Sequence, residues 1–103
     1  MKRMLLPLIS LIIVSCKSDA EIAASYQWKW GEGFRVGDWI QFSDKMEDSG
    51  YYLDTDTIYK NSLPIALMQS TSFHYDCYIM IITSLDGKEK GIYFEKGDAK
   101  PTD

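Results

Sequence analysis

The feature that most constrains the fold is the run Phe73 to Ser84, FHYDCYIMIITS. Side chains alternate between the two faces of a strand. Here Tyr78, Met80 and Ile82 fall on one face while Cys77, Ile79 and Ile81 fall on the other. A strand that is apolar on both faces needs cover on both, so this run belongs in the middle of a sheet. We read it as one strand, the longest in the chain.

The segments around it repeat the period-two signature. In Tyr26-Gln27-Trp28-Lys29-Trp30 aromatic and polar residues alternate, and Gly31-Glu32-Gly33 interrupts them. Phe34 to Phe42 reads as a second strand, with Gly37 as a bulge or a point of close backbone approach. Residues 43–50 form a polar loop. Tyr51 to Leu53 and Thr57 to Lys60 read as short strands around Asp54-Thr55-Asp56, and Asn61-Ser62 as a turn. Leu63 to Gln69 returns as a strand with Pro64 near its start, where a missing amide proton is tolerated. Asp86-Gly87 is a hairpin signal, and Gly91 to Lys96 closes the set. No segment keeps a helical period for three turns. The expectation is an all-β domain over residues 26–97, a single small antiparallel β-barrel or β-sandwich of about six or seven strands. Residues 98–103 are expected to be a flexible tail.

One internal echo accompanies these strands. Gly33-x3-Gly37-x-Trp39 and Gly87-x3-Gly91-x-Tyr93 share a turn-then-aromatic frame. Two similar hairpins in one antiparallel sheet account for it, and no family follows from it.

The front of the chain has a different character. Lys2 and Arg3 precede a ten-residue stretch, Leu5 to Val14, broken only by Pro7 and Ser10. A charged start followed by a short apolar run is the order of a secretory signal. The run is too short to span a bilayer, which takes about 20 apolar residues. It ends on Ile13-Val14-Ser15-Cys16. These residues resemble the lipobox of bacterial lipoproteins: an aliphatic residue, one or two small or β-branched residues, then cysteine. The resemblance covers the first sixteen residues. It implies that residues 1–15 are a cleaved signal peptide and that Cys16 carries a diacylglyceryl thioether. Its freed amino group can take a further acyl chain such as palmitate. It also implies a membrane partner, because two or more chains anchor a protein stably where one does not. Residues 4–15 are expected to form a lone helix in the uncleaved chain, and residues 16–25 to serve as lipid anchor and tether. No Asp directly follows Cys16, a position that marks inner-membrane retention in enterobacteria-like lipoproteins. Lys17-Ser18-Asp19-Ala20-Glu21 is similar to the Lys-plus-acidic signal of surface lipoproteins. An outer-membrane or cell-surface position in the bacterial envelope is therefore expected over the inner membrane.

Charge and cysteine usage narrow the function. Of 11 Lys and Arg, Lys2 and Arg3 lie in the leader, which leaves 9 basic against 15 acidic residues after it. That balance excludes a phosphate-backbone reader, so no nucleic-acid partner is expected. With Cys16 lipidated, Cys77 has no partner in the chain. The domain must then hold itself by core packing, and its 14% aromatic content supplies much buried area per residue.

The candidate sites are few. Tyr26, Trp28 and Trp30 share one strand face. With Trp39 they could stack on a sugar or small ligand, but as core they would serve a domain without disulfides equally. His74 and Asp76 stand at i and i+2, without a nucleophile turn or the three or four ligands of a zinc site. They read as a strand-end polar pair. Asp44, Glu47, Asp48, Asp54 and Asp56 lack the order of a calcium loop and read as solvated loops. No catalytic set, metal site or cofactor is expected. The reading that results is a non-catalytic, membrane-anchored module that binds protein, as an inhibitor, immunity factor or envelope-complex subunit. Glycan or small-ligand binding through Trp28, Trp30 and Trp39 is the alternative, and a small hydrolase ranks behind both.

Overall fold

The computed structural model describes residues 17–46 and 50–100. The expected leader helix over 4–15, and Cys16 itself, lie outside them. The described residues open with a short helix, α1 (Asp19–Ser25). Seven strands follow: β1 (Tyr26–Gly33), β2 (Trp39–Ile40), β3 (Tyr51–Asp54), β4 (Thr57–Lys60), β5 (Leu63–His74), β6 (Cys77–Thr83) and β7 (Lys90–Asp98). They form one antiparallel sheet in the order β2-β1-β7-β6-β5-β4-β3. The fold is all-β, as the alternation predicts, and of the two expected architectures it follows the barrel rather than the sandwich. The single sheet curls so far that its two ends touch. Phe42, just past β2, bridges Tyr51 of β3, and the Ser43 amide donates to the Tyr51 carbonyl at 2.8 Å. The result is a half-barrel pinched shut at that corner.

The strand apolar on both faces does lie at the centre. β6 has three strands on either side of it. Met80 and Ile82 point into the curl and are fully buried, while Ile79 and Ile81 are half-buried on the convex face. Its length is a correction. The run from Phe73 to Ser84 is two strands, because the chain reverses at Tyr75-Asp76 and His74 pairs with Cys77. Tyr75 adopts φ 59°, the left-handed conformation that a two-residue hairpin turn requires. His74 therefore ends β5 and Asp76 lies in the turn, so the two do not share a strand face.

Further boundaries differ for physical reasons. β1 continues through Gly31-Glu32-Gly33, where β7 supplies the partners Ile92 and Gly91. The expected strand from Phe34 to Phe42 shrinks to Trp39–Ile40 and the Phe42 bridge. In its missing part, residues 34–38, Val36 and Gly37 turn their backbone groups to a buried phenol. The Tyr93 hydroxyl donates to the Gly37 carbonyl at 2.6 Å and accepts from the amides of Val36 and Gly37 at 3.1 and 3.3 Å. Gly37 is a close-approach point, packed against the Tyr51 hydroxyl, which donates to the Val36 carbonyl at 3.2 Å. The two glycine–aromatic frames thus meet in space, with Gly33 opposite Gly91 and Gly37 on Tyr93.

Residues 17–25 are not all tether. Ser18 caps α1: its hydroxyl accepts from the Glu21 amide at 3.1 Å, and the Glu21 carboxylate accepts from the Ser18 amide at 3.0 Å. Ala23 is fully buried, and α1 packs against β5 and β3. The core that α1 helps to cover is Trp28, Ile40, Phe42, Ile58, Ala66, Met68, Met80, Ile82 and Tyr93. At the other terminus β7 runs to Asp98, and the expected tail is pinned as far as residue 100. The Ala99 amide donates to the Ser25 carbonyl at 2.8 Å, and Gln41 exchanges two hydrogen bonds with the backbone of Lys100.

Tyr93 gives the first test of this packing. Burial pushes its phenol above the ordinary value of 10.0, as it does for Tyr51. A group whose pKa is raised on folding contributes stability that is complete below its unfolded pKa. That stability is lost as pH rises through the folded value. Tyr93→Phe is expected to cost about 1–3 kcal/mol in urea unfolding near neutral pH, because one backbone carbonyl and two amides lose their partner. The gap between wild type and variant should close in titrations above pH 10. The absence of a gap near neutral pH would show that the phenol network carries no stability.

Candidate functional site

The three tryptophans do not converge on one groove. Trp28 has no exposed surface; its ring lies inside the curl and its indole N–H donates to the Ala23 carbonyl at 2.8 Å. Trp30 shares that inner face but is half-buried, with Arg35 over its ring at 5.1 Å. Trp39 points the other way, because its cross-strand neighbour is Lys29 while Ile40 opposes Trp28. It is 52% exposed, and the Lys29 ammonium stands 5.2 Å from its ring. Of the three, only Trp39 offers an open ring, and a cation of its own strand pair already covers part of it.

The polar candidates also scatter. The His74 ring nitrogen contacts the Ser72 hydroxyl at 3.0 Å, and Asp76 is exposed in the turn. Asp54 and Asp56 flank the β3–β4 turn and accept from Thr55 and Thr57, each at 3.4 Å; Asp44 is exposed. Glu47 and Asp48 lie outside the described residues. Among the described residues no three His, Cys, Asp or Glu gather as a metal would need. Cys77 is half-buried and free. None of the described helices is long and apolar enough to cross a membrane.

A different group comes together at the end of the sheet nearest residue 17. Four rings run outward from the core in contact. Trp28 meets Tyr26 edge-on with centroids 6.2 Å apart, Tyr26 stacks on Tyr78 at 5.3 Å, and Tyr78 meets Phe73 edge-on at 5.0 Å. Such offset and edge-to-face pairs are the favoured aromatic geometries. β7 bulges away here, and its Glu95 carboxylate accepts from the Tyr78 amide at 3.2 Å and from the Gly97 amide at 3.1 Å. Burial raises the Tyr26 phenol above 10.0, and the neighbouring Tyr78, Glu95 and Asp98 add to the shift. Beside the rings lies an open depression of about 290 Å³ lined by Lys17, Ile22, Ser25, Tyr26 and Tyr78. Beyond them the β5–β6 turn carries Phe73, 58% exposed, and Tyr75, 99% exposed. Sequence reasoning missed this cluster because it placed Phe73, Tyr75 and Tyr78 inside one continuous strand.

No family model matches the chain, and comparison with curated proteins and with solved structures returns no match.

Proposed function

We propose that this protein is a bacterial envelope lipoprotein, moored through acyl chains on Cys16, whose β domain works as a non-catalytic protein-binding module. The observation that carries the reading is the order Lys2-Arg3, apolar Leu5–Val14, then Ile13-Val14-Ser15-Cys16. Two features of the domain support it. The Ser18 capping box starts α1 two residues after the thiol, and α1 packs on β5 and β3, so a lipid on Cys16 would sit close to the folded domain. Its small curled sheet also carries half-buried Ile79, Ile81, Ile92 and Phe94 on the convex face, apolar surface suited to a protein partner. Glycan stacking has less to stand on, since Trp28 is withdrawn into the core and Trp39 faces away from Trp30.

Expression of the full chain in a bacterial host with a clickable fatty-acid analogue tests the anchor. The wild type should be labelled and sediment with membranes, while Cys16→Ser should lose the label and leave the membrane fraction. A wild-type chain whose Cys16 sulfur is unmodified by mass spectrometry would end the lipoprotein reading. Photo-crosslinking from the convex face in those cells then tests the module. A defined adduct formed at Ile81 and absent at the solvent-facing Lys88 is the expected result.

A further inference from the structure

We infer that the β5–β6 hairpin tip is a second membrane contact, in which Phe73 and Tyr75 seat in the interfacial layer of a zwitterionic bilayer beside the Cys16 anchor. The inference rests on the lipoprotein reading and adds the orientation of the domain.

The chain itself fixes how near this tip lies to the anchor. Lys17 is one residue from Cys16, and consecutive Cα atoms are about 3.8 Å apart. Lys17 and Tyr78 line the same depression, Tyr78 packs on Phe73, and Phe73 is two residues from Tyr75. A second tie runs from the Thr71 hydroxyl on β5 to the Asp19 carboxylate at 2.8 Å. Acyl chains would hold Cys16 at the level of the lipid glycerol, so this end of the sheet faces the headgroups. The opposite loop, Ser84 to Glu89, stands a whole β6 length away, roughly 20 Å for seven residues.

The chemistry of the tip fits that layer. Tyrosine is enriched at membrane–water interfaces because its apolar ring and polar hydroxyl match the two sides. Tyr75 makes no use of its ring inside the domain, being 99% exposed. It also occupies a left-handed backbone position at φ 59°, which glycine or asparagine fills with less strain. The turn therefore spends strain to present a large ring outward. Phe73 beside it is braced against Tyr78, so its projection is set before any lipid is met. Charge selects the kind of bilayer. Asp19 on Thr71, Glu95 on the Tyr78 amide and Asp76 in the turn stand at this end against Lys17 and a single histidine, His74, which disfavours anionic headgroups.

The test uses lipidated protein purified from cells that express the full chain and reconstituted in phosphatidylcholine vesicles. In a Cys77→Ser background, a bimane probe is placed on Tyr75→Cys or, as reference, on Leu85→Cys in the opposite loop. The expected result is a blue-shifted probe at 75, quenched severalfold more by headgroup-level spin-labelled lipid than the probe at 85, and severalfold less by aqueous iodide. Mixing in phosphatidylglycerol should shrink that contrast. Equal iodide access at both positions, with acylated Cys16 in the mass spectrum of the same sample, would overturn the tip contact while leaving the anchor intact. An unmodified Cys16 would remove both. Substitution at Tyr75 leaves the fold intact, because its ring is almost wholly exposed.

Discussion

Trp28→Ala is expected to lower stability by about 3–5 kcal/mol, the range for truncating a large buried aromatic to alanine. A domain of this size has roughly 4–12 kcal/mol in total, at about 0.05–0.15 kcal/mol per residue, so the variant should be partly unfolded near 37 °C. The ring does two jobs. It fills the centre of the curl with no exposed surface, and its N–H ties the sheet to the end of α1 through the Ala23 carbonyl. Trp28→Phe separates them, since it keeps most of the ring volume and drops the hydrogen bond. It should cost about 1–3 kcal/mol, including the carbonyl left without a partner. Urea unfolding followed by far-UV circular dichroism reads both, because the remaining tryptophans complicate fluorescence. A Trp28→Ala midpoint close to wild type would show that the ring is not the core that its burial describes.

Trp28 also shows what could be read from the chain and what could not. Period-two alternation put its side chain on the face of Tyr26 and Trp30, and that face is the inner one. The doubly apolar character of β6 placed it centrally, and the turns at Asn61-Ser62 and Asp86-Gly87 were visible in residue type. The turn at Tyr75-Asp76 was not, because tyrosine carries no turn signal and its left-handed φ is set by the pairing of His74 with Cys77. The cluster at the tip was lost with it. Residues 34–38 failed for another reason: their strand-like composition is overridden by Tyr93, 56 and 57 positions away from Gly37 and Val36, whose hydroxyl takes the backbone groups a neighbouring strand would have used. The helix α1 is too short to show a period, but Ser18-Asp19-Ala20-Glu21 is a capping box that marks its start. The anchor residue, Cys16, is legible only from its setting behind an apolar leader.

Gly91→Ala should be among the most damaging single-methyl additions on the strands around the core. Gly91 sits where β7 passes between Gly33 of β1 and Ile82 of β6, and the chain leaving β1 crosses directly over it. A Cβ there would overlap the Phe34 carbonyl oxygen and stand 2.9 and 3.1 Å from the Phe34 carbonyl carbon and amide nitrogen. These are backbone atoms, so no rotamer change relieves the overlap. The crossing segment must lift, which strains the Phe34 amide bond to the Lys90 carbonyl at 2.9 Å and then the Tyr93 contacts at Val36 and Gly37. Overpacking of about 1–3 kcal/mol and three weakened hydrogen bonds, each losing part of its roughly 1 kcal/mol, give about 3 kcal/mol or more. Gly87→Ala provides the contrast. It has a left-handed φ of 78° but open space around it, so only backbone strain of about 1 kcal/mol applies. Measured by urea unfolding in parallel, Gly91→Ala should lose severalfold more stability than Gly87→Ala. The reverse order would mean that the segment from Phe34 to Asp38 is free to move off the sheet, and that the Tyr93 hydroxyl does not hold it there.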